Sequence, residues 1–169
     1  MKLHKLLVAL AIFAMTLGSK AESLLSLSRL SVDTFGTYNR ESTDFGAGLG
    51  VGYRFTDYVE LAADITSLSP TAVFVDNTHA NLDVRLNLPL ESKFNVLSAI
   101  RTSPYIFGGM GHCLTGSGWD SHAGAGLEFK ATSHIGIFSD FRYTFANDEF
   151  INTQGRDSFG VRAGLRFRF

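Results

Sequence analysis

The chain has 169 residues, of which 45% are hydrophobic and 18% charged, with 17 Gly, 15 Phe and a formal net charge of −1. That balance gives no electrostatic basis for nucleic-acid binding. A single cysteine, Cys113, excludes an internal disulfide and is expected to be a small buried side chain in a strand.

At the amino terminus, Lys2 and Lys5 precede the apolar run Leu6 to Leu17 and then Ser19-Lys20-Ala21. A basic end, a short apolar middle and small residues flanking a cut are the layout of a secretory signal peptide. Cleavage is expected after Ala21, giving a leader of 1–21 and one mature domain of 22–169. Removing Lys2, Lys5 and Lys20 takes the net charge from −1 to −4. No other window approaches the roughly 18 consecutive apolar residues of a membrane helix. If the mature chain is embedded in a membrane, it is therefore a closed barrel, the other structure that satisfies its backbone groups in lipid.

Strand side chains alternate between two faces, and that alternation organises the mature chain. Leu27 to Tyr38 carries it weakly, with Leu30, Val32, Thr34 and Tyr38 outward and Arg29, Ser31 and Asp33 inward; Asn39 to Thr43 is the first loop. In Asp44 to Phe55, Phe45, Ala47, Leu49, Val51, Tyr53 and Phe55 alternate with Gly46, Gly48, Gly50, Gly52 and Arg54. Four inward glycines in register imply a crowded interior. Thr56-Asp57 makes a tight turn into Tyr58 to Thr66, where Val59, Leu61, Ala63 and Ile65 face out and Glu60, Ala62 and Asp64 face in. Ser67 to His79, with Pro70, reads as a longer loop, from which Thr71 to Val75 could extend either adjoining strand.

Ala80 to Leu88 sets Leu82, Val84, Leu86 and Leu88 against Asp83, Arg85 and Asn87. Glu91 to Ser103 has no period of two and reads as an irregular or briefly helical excursion. After Pro104, Tyr105 to Leu114 is β-rich without a defined inner face, and Thr115 to Trp119 is a Gly/Ser turn. Ser121 to Lys130 places Ala123, Ala125, Leu127 and Phe129 opposite Gly124, Gly126, Glu128 and Lys130. His134 to Phe145 sets Ile135, Ile137, Ser139, Phe141, Tyr143 and Phe145 against Gly136, Phe138, Asp140, Arg142 and Thr144. Asn147 to Asp157 is a polar loop.

The final stretch, Phe159 to Phe169, has the strongest pattern. Phe159, Val161, Ala163, Leu165, Phe167 and Phe169 form one face, and Gly160, Arg162, Gly164, Arg166 and Arg168 the other. Such a strand set against lipid can hold its arginines inside, because a membrane barrel is apolar outside and polar within. A soluble barrel of the lipocalin kind keeps its apolar residues inside, and these apolar faces exceed what a small lumen holds.

The expected fold is thus all-β, an eight-stranded antiparallel up-and-down transmembrane barrel with both ends on the periplasmic side. Its inward charges are Arg54, Glu60, Asp64, Asp83, Arg85, Glu128, Lys130, Asp140, Arg142, Arg162 and Arg166, with Arg168 beside them. Buried charges cost several kcal/mol each when unpaired, on the order of the penalty for an isolated ion in protein, so a lumen plugged by Arg–carboxylate pairs is expected.

With these features the chain resembles the small outer-membrane β-barrel family related to the outer-membrane protein A transmembrane domain and the opacity-type surface proteins. Phe45 to Phe55, Pro104 to Gly111, Gly124 to Phe129, Phe141 to Phe145 and the last strand carry the likeness. The closing Gly164, Leu165, Phe167 and Phe169 resemble the signal by which such barrels are recognised for assembly; Ala163 departs from it, standing where the family usually has a polar residue. The resemblance implies a bacterial outer-membrane location and roles in membrane integrity, surface interaction, adhesion or narrow conduction. It also implies partners in outer-membrane lipid and lipopolysaccharide, and in the barrel-assembly machinery and periplasmic chaperones. No peptidoglycan-binding domain is expected.

Catalysis is not expected. Where a barrel lipid A deacylase carries His-x-Ser-Asn, this chain has Thr144-Phe145-Ala146-Asn147, without base or nucleophile. Ser121-His122 and Ser133-His134 are neighbours whose side chains go to opposite faces of a strand. His79, His112, His122 and His134 lack metal-ligand spacing and are expected at the surface or interface. No cofactor or metal is expected. The readings to separate are a structural or surface-interaction barrel, a narrow pore and, least favoured, a lipid A-modifying hydrolase.

Overall fold

The structure, a computed structural model, describes residues 27–68, 78–88, 101–115, 118–145 and 157–169. The leader, the segment Thr71 to Val75, most of Glu91 to Ser103 and nearly all of the last loop lie outside the described residues. Eight strands are present among the described residues: β1 (Leu30–Asn39), β2 (Asp44–Arg54), β3 (Val59–Leu68), β4 (Thr78–Asn87), β5 (Thr102–Cys113), β6 (Trp119–Lys130), β7 (Ile135–Phe145) and β8 (Ser158–Arg168). Each pairs antiparallel with the next, and β8 pairs with β1, closing the barrel. A single circuit of the ladder from Leu30 passes through Tyr53, Leu61, Val84, Gly108, Ala123, Tyr143 and Phe159. It returns to β1 at Arg40, whose amide donates to the Phe159 carbonyl. That stagger is the shear that tilts strands around a closed barrel.

The alternation runs as lipid exposure demands. Leu49, Ile65, Leu82, Met110, Leu127, Phe141 and Leu165 are exposed on the outer wall, while Asp33, Glu60, Asp83, Glu128, Asp140, Arg162 and Arg166 are buried inside. Burial is thus inverted relative to a water-soluble protein, as expected of a wall solvated by hydrocarbon. The turns 55–58 and 131–134 use the same chemistry. Thr56 Oγ1 accepts from the Tyr58 and Val59 amides at 3.2 and 3.0 Å, and Thr132 Oγ1 from those of His134 and Ile135 at 3.1 and 2.9 Å. These turns lie at the same end as the start of β1 and the end of β8, hereafter the terminal end. The opposite end carries the connections 40–43, 69–77, 114–118 and 146–157, and is the loop end.

Several boundaries differ from the sequence expectation. Leu27–Arg29 is a 3-10 turn and not strand, and Arg29 stays at the rim, donating to the Phe55 carbonyl at 2.7 Å instead of entering the lumen. β3 continues to Leu68 and β4 begins at Thr78, so His79 belongs to a strand and not to the preceding loop. β5 starts at Thr102 and runs through Pro104. The proline fits because its missing N–H faces the place where β4 ends, leaving only its carbonyl to accept from Leu88 at 2.9 Å. β6 begins at Trp119, two residues earlier than the glycine-serine turn suggested, which adds Asp120 to the lumen wall.

Candidate functional site

The lumen holds the polar chemistry and is built as two charge layers interleaved with rings. In the layer nearer the terminal end, Arg166 from β8 holds Asp33 of β1 with Nε and NH2 at 2.8 and 2.9 Å, and Glu128 of β6 with NH1 at 2.8 Å. Arg85 of β4 places NH1 2.9 Å from both Asp33 and Glu60. Arg168 closes on Glu128 from the rim, and Arg54 approaches Glu60 only to 3.8 Å.

Above it, Arg162 holds Asp140 with Nε and NH2 at 2.7 and 3.0 Å, and Asp64 with NH1 at 3.0 Å. Arg142 reaches Asp83 at 2.9 Å and Asp64 at 3.3 Å. Asn81, Thr66 and Tyr105 occupy remaining carboxylate lone pairs, donating to Asp64 at 2.6 and 2.9 Å and to Asp140 at 2.8 Å. Each of these carboxylates is thereby held by more than one donor, the condition under which buried charge is tolerated.

Aromatic rings fill the space between guanidiniums. Arg162 lies 5.1 and 5.2 Å from the centroids of Phe35 and Phe107, and Arg166 lies 5.0 and 5.7 Å from those of Phe138 and Tyr105. Cation–π contact in such a desolvated setting is worth about 2 kcal/mol or more. The inner glycines give these rings their room. A Cβ on Gly126 would meet the Tyr105 ring and the Asp140 Cβ, each at 2.6 Å, and one on Gly48 would strike Phe35.

Every charge named from the sequence lies on the inner face, but their roles differ. Glu60, Asp64, Asp83, Arg85, Glu128, Asp140, Arg162 and Arg166 are buried in the layers and Arg142 is nearly so, while Arg54 and Lys130 are half-buried at the terminal rim. Sequence reasoning placed Asp33 inward without assigning it to the charge network, where it proves central. His122 was expected at the surface or interface and is instead wholly buried, with Nε2 2.5 Å from Asp83 and Nδ1 3.2 Å from Asp120. Asp120 in turn stands 3.6 Å from His79 Nδ1. Both nitrogens of His122 face carboxylates, an arrangement complementary to a ring that donates from both. The alternating small residues Ala123 and Ala125 outside and Gly124 and Gly126 inside were the available signal: extended back by two residues, they put His122 in.

The Asp83–His122–Asp120–His79 chain rises to a vestibule of about 110 Å³ at the loop end, lined by Thr37, Asn39, His79, Asn81, Asp120 and Thr144 and floored by Arg142 and Arg162. Below that floor Arg166 and Tyr105 are 1% exposed and Phe138 2%, so the lumen is filled. Ser121 pairs with Met110 on the outer wall, away from His122. Cys113 is half-buried near the loop end, its Sγ 3.6 Å from Thr115 Oγ1.

A family model for the outer membrane protein beta-barrel domain matches residues 6–167. No curated protein matches. Among solved structures, a de novo designed transmembrane β-barrel superposes with a TM-score of 0.61 at 12% identity, covering 84% of this chain and 96% of that one. Neisserial surface protein A gives 0.61 at 15% identity, covering 84% and 98%. The Yersinia pestis outer membrane protein Ail gives 0.52 at 15% identity, covering 83% and 98%. At such identities the likeness is one of fold. Together with the inverted wall and the closed eight-strand ladder, the family match shows that this chain belongs to the outer membrane β-barrel domain family and resides in the bacterial outer membrane.

Proposed function

We propose that the protein is a structural and surface-interaction barrel: it spans the outer membrane, presents its loop end outward, carries no open conduit and performs no catalysis. The observation that supports this is the filled lumen, in which two layers of Arg–carboxylate bonds and four rings occupy the section beneath the vestibule floor. An eight-stranded barrel is only wide enough for side chains to fill it, and here they do. Lipid and lipopolysaccharide are the partners of the apolar wall. Gly164, Leu165, Phe167 and Phe169 serve as the recognition segment for barrel-assembly machinery, with periplasmic chaperones acting before insertion. The outward exposure of Leu165, Phe167 and Phe169 supports that role.

Planar-bilayer recording tests the reading. Purified protein should give no stable conductance step, whereas Arg162→Ala combined with Phe107→Ala, which empties the centre of the plug, should give brief openings. A stable, large step from the unaltered protein would overturn the proposal in favour of a pore.

A further inference from the structure

We propose that the terminal mouth of the barrel binds the phosphate headgroups of anionic phospholipid in the adjoining leaflet. Arg54, Lys130 and Arg168 each stand at the end of their strand, and Arg29 and Arg101 are exposed beside them. Arg29 bonds the Phe55 carbonyl next to Arg54, and the Arg101 carbonyl accepts from the Lys130 amide at 3.0 Å, so the cations ring one opening. Among the described residues Asp57 is the exposed acid at this end.

Arg54 is the sharpest indication of a ligand. Its Nε is buried without a hydrogen-bond partner among the described residues, and its nearest carboxylate, at 3.8 Å, lies beyond hydrogen-bond reach. That carboxylate, Glu60, already accepts from Arg85. Arg168 leaves its Nε without a partner while its NH1 and NH2 close on Glu128. The Arg54 guanidinium, which makes no hydrogen bond among the described residues and stands beside further cations, offers a fork that matches the oxygens of a phosphate.

The surroundings favour a lipid as the source of that phosphate. Phe55, Tyr58, Phe129 and Phe167 are exposed around the same end, where aromatic side chains mark the headgroup level. The loop end has the opposite sign, with Glu41, Asp44, Asp120 and Asp157 against Arg40 among the described residues. An anionic headgroup is therefore drawn to one end of the barrel and repelled from the other.

Native mass spectrometry of the full chain released from vesicles of equimolar phosphatidylglycerol and phosphatidylcholine tests this. Phosphatidylglycerol should be retained in preference. Arg54→Gln should lower that preference roughly fivefold, the factor equivalent to about 1 kcal/mol per cation at an anionic surface. Arg29→Gln, at an exposed position outside the plug, should lower it similarly and keeps the test open if the first variant folds poorly. Arg40→Gln at the loop end should leave it unchanged. Equal retention of the two lipids, or a preference untouched by both terminal-end variants, would overturn the proposal. So would loss of lipid retention on adding inorganic phosphate at constant ionic strength, which would assign the mouth to the free ion.

Discussion

Replacing Arg166 with Met asks directly whether the lumen is a dry, paired plug. Arg166 is 1% exposed, donates three hydrogen bonds to Asp33 and Glu128 and lies between the rings of Phe138 and Tyr105. Each charge-assisted bond contributes about 1.5–3 kcal/mol. Both carboxylates keep a second cation, since Asp33 retains Arg85 at 2.9 Å and Glu128 retains Arg168. The expected loss is therefore about 3–5 kcal/mol, the range for removing one partner of a buried pair, and not the full sum of three bonds. Met fills much of the vacated volume and packs on the same rings, which keeps the cavity contribution small. Urea unfolding from vesicles, followed by fluorescence of Trp119, the single tryptophan, and by heat-modifiable gel mobility, measures the change. Asp33→Asn combined with Arg166→Met should lose less than the sum of the two single losses, because the two residues share bonds. A loss below about 1 kcal/mol for Arg166→Met, the value of a solvated pair, would mean that water reaches the layer and the plug reading is wrong.

Three further outcomes follow from the same geometry and the same unfolding assay. His122→Leu, which leaves Asp83 and Asp120 without their shared donor, should cost about 2–3 kcal/mol, with His122→Gln recovering part of it. Gly126→Ala should destabilise by about 1–3 kcal/mol because its methyl meets Tyr105 and Asp140, whereas Gly36→Ala, with its nearest atom 3.9 Å away, should be neutral. Leu49→Arg, on a wall position that is 64% exposed, should cost about 2–4 kcal/mol in a bilayer, where the same change on a water-facing surface would cost little.

The barrel was legible because two stretches state it without ambiguity. β8 separates Phe, Val and Leu from Arg and Gly on alternate positions, and β2 does the same with four glycines ahead of Arg54, and a strand of either kind has only one environment that suits both its faces. The lumen charges followed from the same alternation. The inner rings did not: Phe35, Tyr105 and Phe107 break the rule that apolar residues face out, and the paired glycines Gly108-Gly109 left β5 without a readable face. Their partners on the neighbouring strands were the usable sign, since Gly48, Gly124 and Gly126 each vacate the volume that one of these rings takes. His122 was missed for a different reason. It stood within the expected strand on the same side as Gly124, but hydrogen-bond partners supplied by other strands leave no trace in local sequence.

Both arginines at the heart of the plug, Arg162 and Arg166, come from β8, the last strand to be synthesised, while the carboxylates they hold lie on β1, β3, β6 and β7. A sheet of the first seven strands therefore carries a surplus of negative charge along what will become its axis, and rolling up without β8 would enclose Asp33, Asp64, Glu128 and Asp140 short of counter-ions. Only docking of the eighth strand delivers the missing cations, in the same motion that seals the seam. Closure by β8 thus supplies counter-ions to carboxylates on four other strands, and a barrel closed without it would leave them in mutual repulsion.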